Sequence, residues 1–324
     1  MLIRFDSFCP NCTGESAYWQ GEEASNNWQR ATIFVRATAP WSTTRIETPD
    51  TAGELVGISC PSTQLCVAVS RFGSVYTAIA PLGGTASWTS TSVGGFPTGI
   101  SCGSSTLCVI SGTTGVITSS NPTGGSTAWH ATSLGSAPGL EAVSCAPEGL
   151  CVAVAQKHVY ASNNPTAGST AWTSTEIGDE LVAVSCPTSA FCVVGDEDGS
   201  GGAYYTTNPG AATPTWLAAG TAFDGESIDS ISCSSPSGCV AVGSNGDVEC
   251  SSNLSQGWAG GKVDPSHLMR AIACPSTGLC AAIDENGAGG TKIEPGACVE
   301  AHYRAACSAL RIKRSIKLIV WTPR

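Results

Sequence analysis

Six times this chain sets two cysteines with five residues between them, the first of each pair preceded by Ser or Ala. The pairs are Cys60/Cys66, Cys102/Cys108, Cys145/Cys151, Cys186/Cys192, Cys233/Cys239 and Cys274/Cys280, and their first members lie 42, 43, 41, 47 and 41 residues apart. So regular a beat marks a structural repeat whose units bury their apolar surface against one another. A zinc site would need four ligands and usually spacers of two to four residues, and no second pair or His motif accompanies each unit. Twelve of the 17 cysteines in identical pairs therefore predict structural disulfides and an oxidising setting, extracellular or in the cell envelope. Each closes a very small loop, contributing about 2 kcal/mol by chain entropy.

Aligned on their cysteines, the units show four strand-like pieces each. In the third unit, Leu140-Glu141-Ala142-Val143-Ser144-Cys145 alternates and ends at the turn Ala146-Pro147-Glu148-Gly149. Leu150-Cys151-Val152-Ala153-Val154 reads as a buried strand, His158-Val159-Tyr160-Ala161-Ser162 as a third, and Ala171-Trp172-Thr173-Ser174-Thr175-Glu176-Ile177 as a fourth. Trp41, Trp88, Trp129, Trp172, Trp216 and Trp258 keep the same period, as rings packed between neighbouring sheets would.

Four short strands in each 41–47 residues predict an all-β fold, a β-propeller. The two cysteines of a pair then lie on adjacent antiparallel strands, with Cα atoms ~4.5–5.5 Å apart, a separation that suits a disulfide. Ala39-Pro40-Trp41-Ser42-Thr43-Thr44-Arg45-Ile46 matches an outermost strand without its blade, while the sixth unit has no tryptophan strand in register. The expectation is six four-stranded blades, the ring closed by the N-terminal strand around Trp41. Seven blades is the alternative, if residues 1–38 or 298–324 form a degenerate one. The organisation expected is an N-terminal extension over 1–38, the propeller over 39–297, and a basic, helix-compatible tail over 298–324.

The turns Ser120-Asn121-Pro122-Thr123-Gly124-Gly125-Ser126-Thr127-Ala128-Trp129 and Ser162-Asn163-Asn164-Pro165-Thr166-Ala167-Gly168-Ser169-Thr170-Ala171-Trp172 resemble the Asp-box turn, Ser-x-Asp-x-Gly-x-Thr-Trp, of sialidase-like propellers. Asn replaces Asp and the spacing is longer, so the likeness is to a device of the fold. The whole repeat is similar to disulfide-bearing propeller repeats of secreted bacterial proteins. A sialidase-like hydrolase is the enzymatic alternative, and it would imply an arginine triad for a substrate carboxylate. The repeat body holds Arg71 and Arg270, with Arg45 on an outermost strand, which does not supply that triad.

Charge narrows the partner classes. Residues 46–297 carry 20 acidic and five basic side chains, and residues 298–324 carry six basic side chains against Glu300. A body so acidic repels phosphate backbones, which argues against nucleic acid. No stretch is long enough for a membrane span. The start, Met1-Leu2-Ile3-Arg4-Phe5-Asp6, lacks the apolar core of a signal peptide, and an incomplete start is the expected reason.

In a propeller the a–b and c–d turns share one face and the b–c and d–a turns the other. The second face collects the acids: Asp179, Glu180, Asp224, Glu226, Asp229 and Asp284 are the candidate partner-binding residues, for a protein or a glycan. Asp196-Glu197-Asp198-Gly199-Ser200 resembles the opening of a calcium loop, with Asp196, Asp198 and Ser200 as candidate ligands, although Thr207 stands where a calcium loop has Glu. No other cofactor, phosphate loop or nucleophilic triad is visible. Cys9, Cys12, Cys250, Cys298 and Cys307 are left over; terminal disulfides, poorly ordered ends, or a zinc site from Cys9, Cys12, Cys298 and Cys307 are the readings. The function expected is an exported, non-enzymatic binding scaffold with an acidic loop face. A structural protein of the cell envelope is the further alternative.

Overall fold

The computed structural model describes residues 54–83, 87–135, 139–199, 201–223, 225–262, 268–276 and 279–284, together with the strands at 4–5, 17–21, 31–35, 42–45 and 291–293. Its elements are β-strands and single 3-10 turns. Blade 1 has strands a to d at Leu55–Ser62, Leu65–Ser70, Ser74–Ala78 and Trp88–Ser92; blade 2 at Pro97–Ser104, Leu107–Gly112, Gly115–Ser119 and His130–Ser133. Blade 5 repeats this at Ile228–Ser235, Gly238–Gly243, Asp247–Ser251 and Ala259–Lys262. The β-propeller expected from the repeat is the architecture found.

Blades 3 and 4 are joined into one six-stranded sheet. Two long strands, Cys151–Ser162 and Thr173–Thr188, each run through a corner where the other blades have a loop. Gln156 turns the first corner at φ 46° and Gly178 the second at φ 62°, and Gln156 pairs with Leu181 across them. One left-handed residue per corner redirects the chain without breaking the ladder. Blade 4 continues through Phe191–Asp196, Gly202–Thr206 and Leu217–Thr221.

All six expected disulfides are present. Cys60 is bonded to Cys66, Cys102 to Cys108, Cys145 to Cys151, Cys186 to Cys192, Cys233 to Cys239 and Cys274 to Cys280. Their Cα–Cα distances of 3.9 to 4.2 Å correct the expected separation. They fall below the ~4.5 Å of an ordinary facing pair, because the bond draws the two strands together. The second cysteines, Cys66, Cys108, Cys151, Cys192, Cys239 and Cys280, are all buried, as structural staples should be.

The register around the staples repeats from blade to blade. Cys102 stands directly opposite Cys108, Cys145 opposite Cys151, and Cys233 opposite Cys239. In five of the hairpins the ladder shifts beside the bonded pair, in blade 2 between Leu107 and Cys108 and in blade 5 between Cys233 and Ser235. The shift lies between Ser59 and Ser62 for Cys60–Cys66, between Ser185 and Thr188 for Cys186–Cys192, and between Ala273 and Ser276 for Cys274–Cys280. An extra residue on one strand lets the turn close without moving the cysteines apart.

Close facing pairs turn their main-chain groups away from each other, so the first cysteine's amide points off its own sheet. There a serine from the preceding blade receives it. Ser59 Oγ accepts from the Cys102 amide at 2.9 Å, Ser101 from Cys145 at 2.9 Å, and Ser144 from Cys186 at 2.9 Å. Ser185 accepts from Cys233 at 3.0 Å and Ser232 from Cys274 at 2.9 Å. In the last unit the serine is replaced by Ala273.

The apolar faces fill the joints between blades. Trp129 closes a cluster with Val67, Val69, Ile100 and Ile110 of blades 1 and 2, and Trp172 one with Val109, Val143 and Ala153 of blades 2 and 3. Trp216 packs against the joint of blades 3 and 4, and Trp258 against that of blades 4 and 5. These four tryptophans are inter-blade wedges, as their period predicts.

The N-terminal region differs from expectation. Ala17–Gly21, Ala31–Val35 and Ser42–Arg45 form a three-stranded antiparallel sheet, so the strand after Trp41 pairs with Ala31–Val35 and not with Thr291–Ile293. A hairpin partner a few residues away costs far less loop entropy than one at the other end of the chain. Residues inside 1–38 thus contribute strands, and with this sheet the count matches the seven-unit alternative. The last unit pairs Met269–Ser276, Leu279–Asp284 and Thr291–Ile293.

Candidate functional site

The face built by the b–c and d–a connections holds the features that look outward. In blade 1 the Arg71 amide donates to the Glu54 carbonyl at 2.7 Å, and its Nε lies 3.5 Å from the Glu54 carboxylate. The Gly73 amide donates to Ser70 at 3.0 Å, and the Val93 amide donates to Gly73 at 2.8 Å, tying the b–c turn to the d–a loop. Gly73 has φ +84° and a Cβ there would strike the Gly94 carbonyl, so glycine permits this close approach. The Thr113 amide of blade 2 anchors the far end of the loop through the Phe96 carbonyl at 3.3 Å. On this tied base Phe72 is 60% exposed and Phe96 56% exposed. Sequence reading missed both, because an isolated Phe in a Gly-rich turn has no periodicity to show which way it faces.

The acidic candidates divide into three groups. Glu180, Glu197 and Asp198 are exposed, and Glu226 is half-buried. Glu226 Oε2 accepts from Ser244 Oγ at 3.0 Å and from Asn245 Nδ2 at 2.6 Å, which fixes one loop of blade 5 to the next. Asp196 and Asp229 turn inward. Asp196 is 2% exposed and its Oδ1 accepts the Gly202 amide at 3.0 Å, closing the b–c loop of blade 4. Asp229 is 5% exposed and faces Arg270 Nη1 of the next inner strand at 3.9 Å, within the joint. The side chains of Asp179 and Asp284, and Asp224 and Ser200 altogether, lie outside the described residues. Among the described residues no three His, Cys, Asp or Glu side chains are grouped to hold a metal ion. Both arginines of the repeat body, Arg71 and Arg270, lie in the ion pairs just described.

The a–b face carries less charge, although Ile79, opening the c–d turn of blade 1, is 69% exposed. Its one charged turn residue, Glu148, accepts the Ser189 amide of the neighbouring turn at 3.0 Å. The Asn-containing c–d turns are locally closed: Asn121 Oδ1 accepts from Thr123 Oγ1 at 3.1 Å, and Asn253 Oδ1 accepts the Ser255 amide at 3.1 Å. Cys250, left over in the sequence, is itself disulfide-bonded.

A second pair of carboxylates sits on strand c of blade 5. Asp247 and Glu249 are two residues apart and so share one face of the strand. Lys262 Nζ lies 3.4 Å from Asp247, whose carboxyl is nevertheless raised by burial against the pull of that ammonium. Burial, then the charge of Asp247, push Glu249 up to about 7. In the ladder Glu249 takes the place of Tyr76, Ile117, Tyr160 and Tyr204, opposite Gly260. Aligning the third strands was the signal that could have found it.

No protein-family model and no curated protein sequence matches this chain. Solved structures do. The chain is similar to YCF48 bound to a D1 peptide, with a TM-score of 0.63 and 14% identity over 88% of this chain and 91% of that one. YCF48 from Cyanidioschyzon merolae gives a TM-score of 0.63 and 12% identity over 91% and 95%. The WD40 repeats of RRP9 give 0.58 and 11% over 74% and 76%. At these identities the likeness is one of fold.

Proposed function

We propose that this protein is an exported interaction scaffold that holds a polypeptide on its b–c and d–a loop face. One observation carries the reading: two phenylalanine rings stand exposed on loops that main-chain hydrogen bonds tie to each other and to the next blade. Displaying apolar rings on a rigid base supports a small anchor site, because little side-chain or loop entropy is lost when a partner covers them. Glu180, Glu197, Asp198 and Glu226 on the same face favour a partner with basic side chains beside its apolar anchor. YCF48, of similar fold, is bound to a D1 peptide, which lends support by analogy of fold alone. The disulfides favour an oxidising compartment.

Panning a random peptide library on the full chain tests this. Enriched peptides should carry an aromatic or aliphatic residue flanked by Lys or Arg, and should weaken as salt rises. They should bind at least about tenfold more weakly to the double variant Phe72→Ser/Phe96→Ser, the loss of two buried rings. Equal binding by that variant would sink the reading. Turnover of aryl glycosides by the full chain would replace it with the hydrolase.

A further inference from the structure

We propose that the inner edge of strand a in blade 1 is a receiving site for an extended peptide, occupied in this chain by its own residues Arg4–Phe5. These residues pair in parallel with that strand, Arg4 beside Gly57 and Phe5 beside Ile58. The same dipeptide also lies against Pro97–Ser104 and Met269–Ser276, the innermost strands of blade 2 and of the last unit. A segment that touches three innermost strands at once runs along the axis of the ring.

The main-chain pattern says why a peptide is taken there. Strand a pairs with strand b on one side only, so its other edge presents main-chain groups to the axis, a template for strand addition. The alternation that turns the cysteine amide off the sheet turns the residue two places earlier the same way. In blade 2 the cysteine amide is met by a serine of the preceding blade, Ser59 for Cys102. In blade 1 the residue two places before Cys60 is Ile58, which pairs with Phe5. Among the described residues no strand pairs with the inner edges of Pro97–Ser104, Ala142–Cys145, Ile228–Ser235 or Met269–Ser276. A pairing of two residues is short enough to be exchanged for another segment, and because it belongs to the same chain it competes with any added peptide.

The inference rests on the reading of the chain as a polypeptide-binding scaffold but places a second site away from Phe72 and Phe96. The probe is a fluorescein-labelled peptide of residues 1–8, Met-Leu-Ile-Arg-Phe-Asp-Ser-Phe, titrated into the full chain. With the Ile58 amide aimed at this segment, Arg4 is the paired residue whose main-chain groups face strand a, so Arg4→Pro removes a ladder donor, and deletion of residues 1–5 removes the segment. Both variants should bind the probe at least tenfold more tightly than the parent chain. Amide exchange at Ile58 should accelerate in each variant and slow again when the unlabelled peptide is added. A peptide carrying proline at its fourth position should restore nothing. Equal affinity in parent and variants, no binding in any of them, or unchanged exchange at Ile58 would each overturn the proposal. Peptides selected on the loop face would still bind in those cases, so failure here is separable from failure of the scaffold reading.

Discussion

The hydroxyl of Ser144 holds the amide of Cys186 at 2.9 Å, across the joint between blades 3 and 4. Both residues are buried, so Ser144→Ala strands an N–H group with no water to replace the lost acceptor. The expected cost is about 1–3 kcal/mol, read as a lower denaturant midpoint at unchanged slope. The opposite change, Ala273→Ser, should gain no stability, because no further cysteine of the repeat follows to donate its amide to a hydroxyl at this buried position.

Each disulfide closes a loop so short that its stabilisation is modest. Replacing Cys145 and Cys151 together with alanine, which adds no polar group to these buried positions, should cost at least about 2 kcal/mol and leave far-UV circular dichroism unchanged. Counting thiols in the unfolded, unreduced protein checks the pairing independently. Twelve or more free thiols would rule the staples out.

Glu249 makes stability depend on pH in a defined direction. Its folded-state carboxyl lies at about 7, above the ordinary 4.5 expected when unfolded, so the native state binds the proton more tightly. Stability therefore falls as pH rises from about 4.5 to about 7 and stays lower above that range. Glu249→Gln should remove the fall, gaining on the order of 1 kcal/mol at pH 8 after solvent screening of a half-buried group, and nothing at pH 4. Denaturant midpoints across that range are the measurement; a slope retained in the variant would assign it to another group.

Asp229 separates a structural role from a binding role. Because its carboxylate faces Arg270 inside a joint, Asp229→Ala leaves a guanidinium partly buried without that partner, at a cost of about 2 kcal/mol or more. Thermal unfolding should show the loss, while affinity for peptides selected on the loop face should change less than about twofold. Glu180→Gln, on an exposed carboxylate, should do the reverse.

What the sequence discloses and what it withholds follow from how each feature is encoded. Cys60/Cys66 and its five copies, with Trp129 and Trp172, repeat at one period, so the unit, the staples and the wedges are readable. The spacing of Cys186 and Cys192 is the same as that of Cys102 and Cys108, and both hairpins shift their ladder by one residue beside the pair. Residues 17–45 carry no cysteine, so of their sheet only the strand after Trp41 has a marker in the repeat. Ser59 looks like any small polar residue until the next blade brings Cys102 to it. Loop position alone could not tell Glu197, which faces out, from Asp196, which turns in to hold Gly202. The exposed Phe72 depends on Gly73 and Gly94 meeting across two loops, a tertiary fact.

The serine bonds all run one way along the chain: Ser59 serves Cys102, Ser101 serves Cys145, and so on to Ser232 and Cys274. A chain made from its N-terminus therefore has every hydroxyl in place before the amide it will receive has been synthesised. Each finished blade offers the next one a docking point during translation, and the order of assembly around the ring is set by the direction in which the message is read.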